Sequence, residues 1–363
     1  WKWRNHGYVF TQMSGMHADA PAFLINFHPV DAAPDASAYV ARLHALPKVL
    51  EQLGEAADAR AARGVLPPKF VFPLLIEASR EVITGAPFDA SGRDSALWAD
   101  VQAKVGALKD LDAAARQRLL DQARRALVDD VKPAYERLIA RFEQEAAHAT
   151  DEDGVWKLPE GRDYYNFMLR RSTTTSLTAE EIHALGLREV ARIHREMTAI
   201  KEKVGFQGDL AAFLRYTRDA PQFSYPTTDA GKAAYVERAT AMIDAMRARQ
   251  PEFFTILPKA PLVVKKVEPF REKGSAAAFY EPPSADGSRP GAYYINTLDM
   301  RGLPIWEMET LAHHEAIPGH HMQIAIAQEL QGLPRFRRFG GGYTAYDEGW
   351  ALYAEYVPKE FGF

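Results

Sequence analysis

The sequence predicts a mainly α-helical protein, with a small β-sheet placed just before a histidine-rich helix. Three observations carry this prediction. Apolar residues recur at helical spacing through much of the chain after Ser37. Short β-rich runs, separated by Pro, Gly and Ser, cluster between Leu262 and Asn296. Four of the eleven histidines then fall within Glu309–Gln323.

Taken in order, residues 1–36 carry three prolines and several aromatics without a clear period, and read as loop and turn. Tyr39, Leu43, Leu46 and Leu50 recur at helical spacing within 38–53, and alanine-rich 55–63 continues before Gly64. Pro67-Pro68 breaks the chain, and Phe70 to Ile83 reads as helix with Pro73 in its first turn. Residues 110–148 are charged and alanine-rich, predicting two helices divided near Pro133. Thr150–Gly154 reads as a turn or linker. It is the boundary to expect if the chain, read as one large domain over 1–363, has lobes at 1–150 and 155–363.

Thr178 and Glu181 form a capping box that starts a helix running to about 203. Its residues Ile182, Leu185, Val190, Ile193 and Met197 predict one buried stripe. A further helix spans about 230–249, and three strands follow at Leu262–Val267, Ala276–Tyr280 and Ala292–Asn296.

Composition sets outer bounds. A hydrophobic content of 47% and a charged content of 25% over 363 residues are ordinary globular values. A net charge of −4 argues against a nucleic-acid surface. No run approaches the length of apolar chain that spans a bilayer. The absence of cysteine excludes a disulfide frame, thiolate metal ligands and cysteine nucleophiles. It is compatible with periplasm or cytoplasm, with export slightly preferred, and oligomeric state is left open.

The chemistry concentrates in Glu309–Gln323. Leu311, Ala312, Ala316 and Ile317 give this segment enough apolar character to be buried, so its imidazoles need partners. Several imidazoles beside a carboxylate point to a metal ion. The pattern is close to the helical HExxH motif, in which two histidines bind zinc and the glutamate is the general base. The match is imperfect, because Pro318 occupies the position four residues after His314. In an unbroken helix His314 and His320 face apart, and His321 is too far along the axis. Pro318-Gly319 offers a resolution: a break there swings His320 back. His314 and His320 are therefore expected as ligands, with His313 and His321 packing or supporting them. Glu315, next to a ligand, is the expected general base, its rival role being a structural ion pair. Downstream, Glu348, Leu352 and Glu355 share a helical face. Glu348 completes a His₂Glu set with a fourth position for water. Glu355 is read either as an acceptor for a ligand histidine or as a surface charge.

At this point a resemblance becomes specific. His314-Glu-Ala-Ile-Pro-Gly-His-His-Met-Gln323 followed by Glu348-Gly-Trp-Ala-Leu-Tyr-Ala-Glu355 resembles the bacterial domain-of-unknown-function 885 family, grouped with the zinc peptidases whose third ligand is glutamate. Tyr164–Arg170, Leu177–Gly186 and Arg289–Asn296 are also similar to it. The resemblance implies a helical peptidase fold, one zinc ion and hydrolysis of peptide bonds. It also implies a chain that is part of a longer polypeptide, since members usually continue at both ends.

Tyr293, Tyr294 and Asn296, on the strand preceding the motif, are expected to bind an extended peptide at the strand edge; plain strand packing is the alternative. Tyr343 and Tyr346 are candidates to donate to a developing oxyanion, against a role in the core. Two rivals come from other classes. One is a non-catalytic protein that keeps the metal as a staple. The other is a di-iron helical protein built on Glu145/His148 and Glu180/His183, which share the Glu-x-x-His spacing.

Overall fold

In the computed structural model, which describes residues 2–340 and 342–363, the chain divides into two compact units. Unit 1 is residues 1–164 with Glu268–Ser275, and unit 2 is Tyr165–Val267 with Ala276–Phe363.

Unit 1 holds α1 (Met16–Phe27), α2 (Ala33–Ala61), α3 (Val71–Val82), α4 (Ala96–Ala107), α5 (Ala113–Arg125) and α6 (Lys132–Ala146). The stripe read from the sequence is the buried face of α2: Tyr39, Leu43, Leu46 and Leu50 lie in one core with Phe72 and Leu75 of α3 and Tyr135, Leu138 and Phe142 of α6. Some of the polar groups at this core are paired. Tyr39 donates to Asp100 Oδ2 at 2.9 Å, and Lys104 donates to the carbonyls of Leu24 and Ile25 at 2.7 and 2.9 Å, satisfying the end of α1.

Two expectations are corrected here. Residues 1–36 are not all loop: α1 occupies Met16–Phe27 with Pro21 inside it, and α2 begins at Ala33. Ala18, Ala20, Pro21, Ala22 and Leu24 are all buried, so α1 is apolar on several sides and shows no two-sided period. The two helices expected over 110–148 are present as α5 and α6, but the division near Pro133 is not a break in the helical chain. A π-helical stretch, Ala126–Val131, joins α5 to α6, and Pro133 sits in the first turn of α6, where its missing donor costs nothing.

His17 of α1 is 2% exposed and packs edge-on to Phe10 and Phe142. Burial lowers its pKa from 6.5 to about 4. Between those values the unfolded chain takes up a proton that the folded chain refuses, so stability falls as pH drops through this window. The loss reaches about 3 kcal/mol by pH 4 at 1.36 kcal/mol per unit. His17→Leu should therefore lose less stability than wild type between pH 6.5 and 4, as read from paired denaturant melts. Equal losses would show that His17 titrates normally.

Helix α7 (Gly161–Thr173) leads into unit 2, which holds α8 (Ala179–Lys203), α9 (Leu210–Asp219), α10 (Asp229–Arg249), β1 (Leu262–Lys266), β2 (Ala278–Glu281), β3 (Gly291–Ile295), α11 (Met308–Glu315), α12 (His320–Glu329), α13 (Arg335–Phe339) and α14 (Thr344–Glu360). The capping box forms as expected: Thr178 Oγ1 accepts from the Glu181 amide at 3.2 Å, and Glu181 accepts from the Thr178 amide at 2.8 Å. The predicted buried stripe of α8 does not form. Leu185, Val190 and Ile193 are 43%, 49% and 38% exposed. The cause is length, since this 25-residue helix packs against 10-residue α9, which spans less than half of it.

The sheet order is β1-β3-β2, with β3 parallel to β1 and antiparallel to β2. All five residues of β3 are buried. Alternation sends Tyr293 and Ile295 into a cluster with Tyr235, Ala239, Ile243 and Met246 of α10 and Met308 and Ala312 of α11. Tyr294 goes to the opposite face, stacked on Phe279 with ring centroids 4.9 Å apart. This arrangement overturns peptide docking along Ala292–Asn296. Both edges of β3 are taken by neighbouring strands, and Tyr293 and Tyr294 are 0% and 1% exposed.

Candidate metal centre

Helix α11 is pinned by its buried face, Met308, Ala312, His313 and Glu315, against α10 and the sheet. It stops at Glu315, and α12 starts at His320. Four residues make the turn between them, with a cis Ile317–Pro318 peptide. The Gly319 amide donates to the His313 carbonyl at 2.9 Å, and the Trp350 indole donates to the Pro318 carbonyl at 2.8 Å. Gly319 is required by close approach: a β-carbon there would lie 1.9 Å from the His314 carbonyl oxygen and 2.3 Å from that of His313.

The turn places the rings of His314 and His320 perpendicular, with centroids 4.8 Å apart. Glu348 of α14 reaches both: its Oε2 is 3.3 Å from His314 Nε2 and 3.6 Å from His320 Nε2. Among the described residues these three form one group whose ligand atoms all lie within 4.8 Å of each other. Ligand atoms about 2.0–2.2 Å from a tetrahedral ion sit roughly 3.3–3.6 Å apart. The residues therefore fit a divalent metal ion. Neither Glu145/His148 nor Glu180/His183 joins a group of this kind among the described residues. Exposure is lopsided, at 10% for the His320 side chain, 20% for His314 and 55% for Glu348, so the centre opens on the Glu348 side.

Glu355 lies 2.7 Å from His314 Nδ1. An Nδ1–H donated to that carboxylate leaves the Nε2 lone pair facing the centre and makes the ring a better ligand. Glu355→Ala is expected to weaken metal affinity about 10–100-fold, measured by competition with a chromophoric chelator. An unchanged affinity would reduce Glu355 to a surface charge.

The other two histidines are held elsewhere. His313 Nδ1 is 2.8 Å from the Ile317 carbonyl. His321 is bracketed, Nδ1 accepting from the Tyr280 hydroxyl at 2.9 Å and Nε2–H donating to the Ala260 carbonyl at 3.1 Å. Burial lowers the His321 pKa to about 4, so the ring is neutral and structural. Burial also lowers the pKa of His320, which favours the neutral, ligating form.

Glu315 is 7% exposed and lies within electrostatic reach of His314, Glu348 and Glu355. Burial raises its pKa to about 7; His314 opposes this, while Glu348 and Glu355 add to it. A dication at the centre would pull it back down. Burial raises the pKa of Tyr293, on the core side of β3, and its neighbours Tyr235 and then Glu315 add to this. Tyr343 and Tyr346 are 58% and 61% exposed, so neither packs in the core. Tyr343 precedes α14, and the Tyr346 carbonyl accepts from Gln323 Nε2 at 3.0 Å.

Sequence reasoning did not find Tyr280 or the anchoring role of Trp350. Both act through partners far away along the chain, His321 and Pro318, and neither carries a local signal.

A family model described as "Bacterial protein of unknown function (DUF885)" matches residues 2–363. No curated protein matches the chain. Among solved structures it is similar to "The crystal structure of the putative lipoprotein from Colwellia psychrerythraea", at 30% identity and a TM-score of 0.90. That alignment covers 98% of this chain and 60% of the solved one.

Proposed function

We propose that this chain, which belongs to the bacterial DUF885 family, is a zinc-dependent hydrolase of peptide bonds. The observation that carries the reading is the group His314, His320 and Glu348 with buried Glu315 beside it. Two imidazoles and one carboxylate are a donor set of catalytic zinc sites, which keep a fourth position open, whereas structural sites are closed by four protein ligands. His314 and His320 would hold zinc through Nε2 and Glu348 through a carboxylate oxygen. Zinc bound there supplies Lewis acidity toward the scissile carbonyl and the attacking water. Glu315 takes the proton released by that water and returns it to the leaving amine. A metal staple has no use for a buried carboxylate that is not a ligand, which favours the enzyme over the non-catalytic alternative.

The peptide docks along β2. With β3 internal, β2 is the edge strand that packs on α11, and we infer that an extended substrate adds alongside it. The similar structure from Colwellia psychrerythraea is described as that of a "putative lipoprotein", which supports an exported location for this chain too.

Metal analysis of the purified protein combined with digestion of a peptide library tests the reading. The expected result is close to one zinc per chain, with cleavage that chelation abolishes and added zinc restores. Zinc retained with no peptide cleaved would return the chain to the non-catalytic reading.

A further inference from the structure

We propose that the groove between α12 and α14 selects a large apolar side chain of the substrate next to the reacting bond. This rests on the hydrolytic reading of the metal group. The groove is open to solvent, offers about 460 Å³, and is walled by Met322, Ile326, Leu330, Tyr346 and Trp350. That is ample for one aromatic or branched side chain and lies within the usual range of ligand pockets.

Continuity with the metal group assigns the occupant. His320 opens α12, and Gln323 and Ala327, which also line the groove, follow it at i+3 and i+7 on the same stripe. On α14, Glu348 belongs to the helical turn that also carries the lining residues Tyr346 and Trp350, and its own side chain lies on another face of that turn. The two helices that carry ligands are thus the two walls, and the groove runs away from the centre for about 15 Å of helical rise toward Leu330. Trp350 is fixed by its hydrogen bond to the Pro318 carbonyl, so this wall is rigid at the end nearest the ligands.

Charge narrows the occupant further. None of the lining side chains carries a formal charge, so a Lys, Arg, Asp or Glu side chain entering here would lose its hydration without a partner. One polar group is left over. Gln323 Nε2 is spent on the Tyr346 carbonyl, which leaves Oε1 buried and without a partner.

The test is calorimetric binding of hydroxamates to the zinc-loaded protein. The probes are acetohydroxamate and the hydroxamates of leucine, phenylalanine, glutamate and lysine. Leucine and phenylalanine hydroxamates are expected to bind at least tenfold more tightly than the charged pair. Ala327→Phe fills the groove and should erase that difference while leaving acetohydroxamate binding unchanged. Ile326→Trp gives an independent filling should Ala327→Phe fail to fold. Acetohydroxamate binding with no side-chain preference overturns the pocket and leaves the metal reading standing. Failure of acetohydroxamate to bind overturns both. If Ala327→Phe changes only the mass seen by light scattering, the groove is a contact between copies and the proposal is wrong.

Discussion

Glu315→Gln is expected to keep its zinc and its fold and to lose about 10²–10⁴ in hydrolysis rate, the usual cost of removing a general base. Glu315 follows His314 by one residue, about 100° round the helix, so it does not share the ligand position. It stands outside the group formed by His314, His320 and Glu348. Glutamine keeps the shape and one acceptor oxygen while losing the basic pair. It also removes a carboxylate that is 7% exposed, so the thermal midpoint should hold or rise slightly. The measurements are zinc stoichiometry, a melt, and kcat/KM on any peptide the wild type cleaves. A variant that sheds its zinc would make Glu315 a ligand. One that cleaves at the wild-type rate would place the base elsewhere.

The second large effect is expected at Gly319, which is not itself one of the candidate ligands. The atoms that a β-carbon would strike, the carbonyl oxygens of His313 and His314, belong to the backbone of α11 and cannot rotate aside. Relief needs a shift of about 1 Å at the start of α12, and His320 moves with it. Metal sites tolerate about 0.2 Å in ligand distance. Gly319→Ala should therefore lower zinc affinity at least about 100-fold and destabilise unit 2 by about 3 kcal/mol, toward the upper end for single substitutions. Competition titration and denaturant melts read the two effects, with His320→Ala as the reference for full ligand loss. Wild-type affinity in Gly319→Ala would show that the turn does not set the position of His320.

The group His314, His320 and Glu348, which could hold a metal ion, is legible in the sequence because coordination chemistry narrows the choices. Few residue types bind zinc, and Pro318-Gly319 announces the break that spacing alone demands. The sheet is legible only as three runs. Nothing local says that the last strand, Gly291–Ile295, lies between the other two, so a strand read as a docking edge proves to be the buried centre. The apolar period of α8 tells which face is greasy and not what covers it. Helix α1 fails for the opposite reason, since a segment buried on several sides has no polar face to reveal its period. Tyr343 and Tyr346 show that an aromatic near a carboxylate carries little information about depth.

The return of Glu268–Ser275 to unit 1 bears on how the chain is made. Phe270 is 4% exposed in the core of that unit, and Asn26 donates to Glu268 at 2.6 Å. A ribosome that has released residues 1–164 has therefore not yet supplied everything their core encloses. Synthesis proceeds at about 5–20 residues per second, so the last piece arrives roughly 6–20 s later, after α8, α9, α10 and β1 have emerged. Until then the nascent helices keep an apolar gap open where Phe270 will sit. The helices of the later-numbered unit are thus present during the closing of the earlier one, and N-terminal fragments ending near Tyr164 inherit the gap permanently.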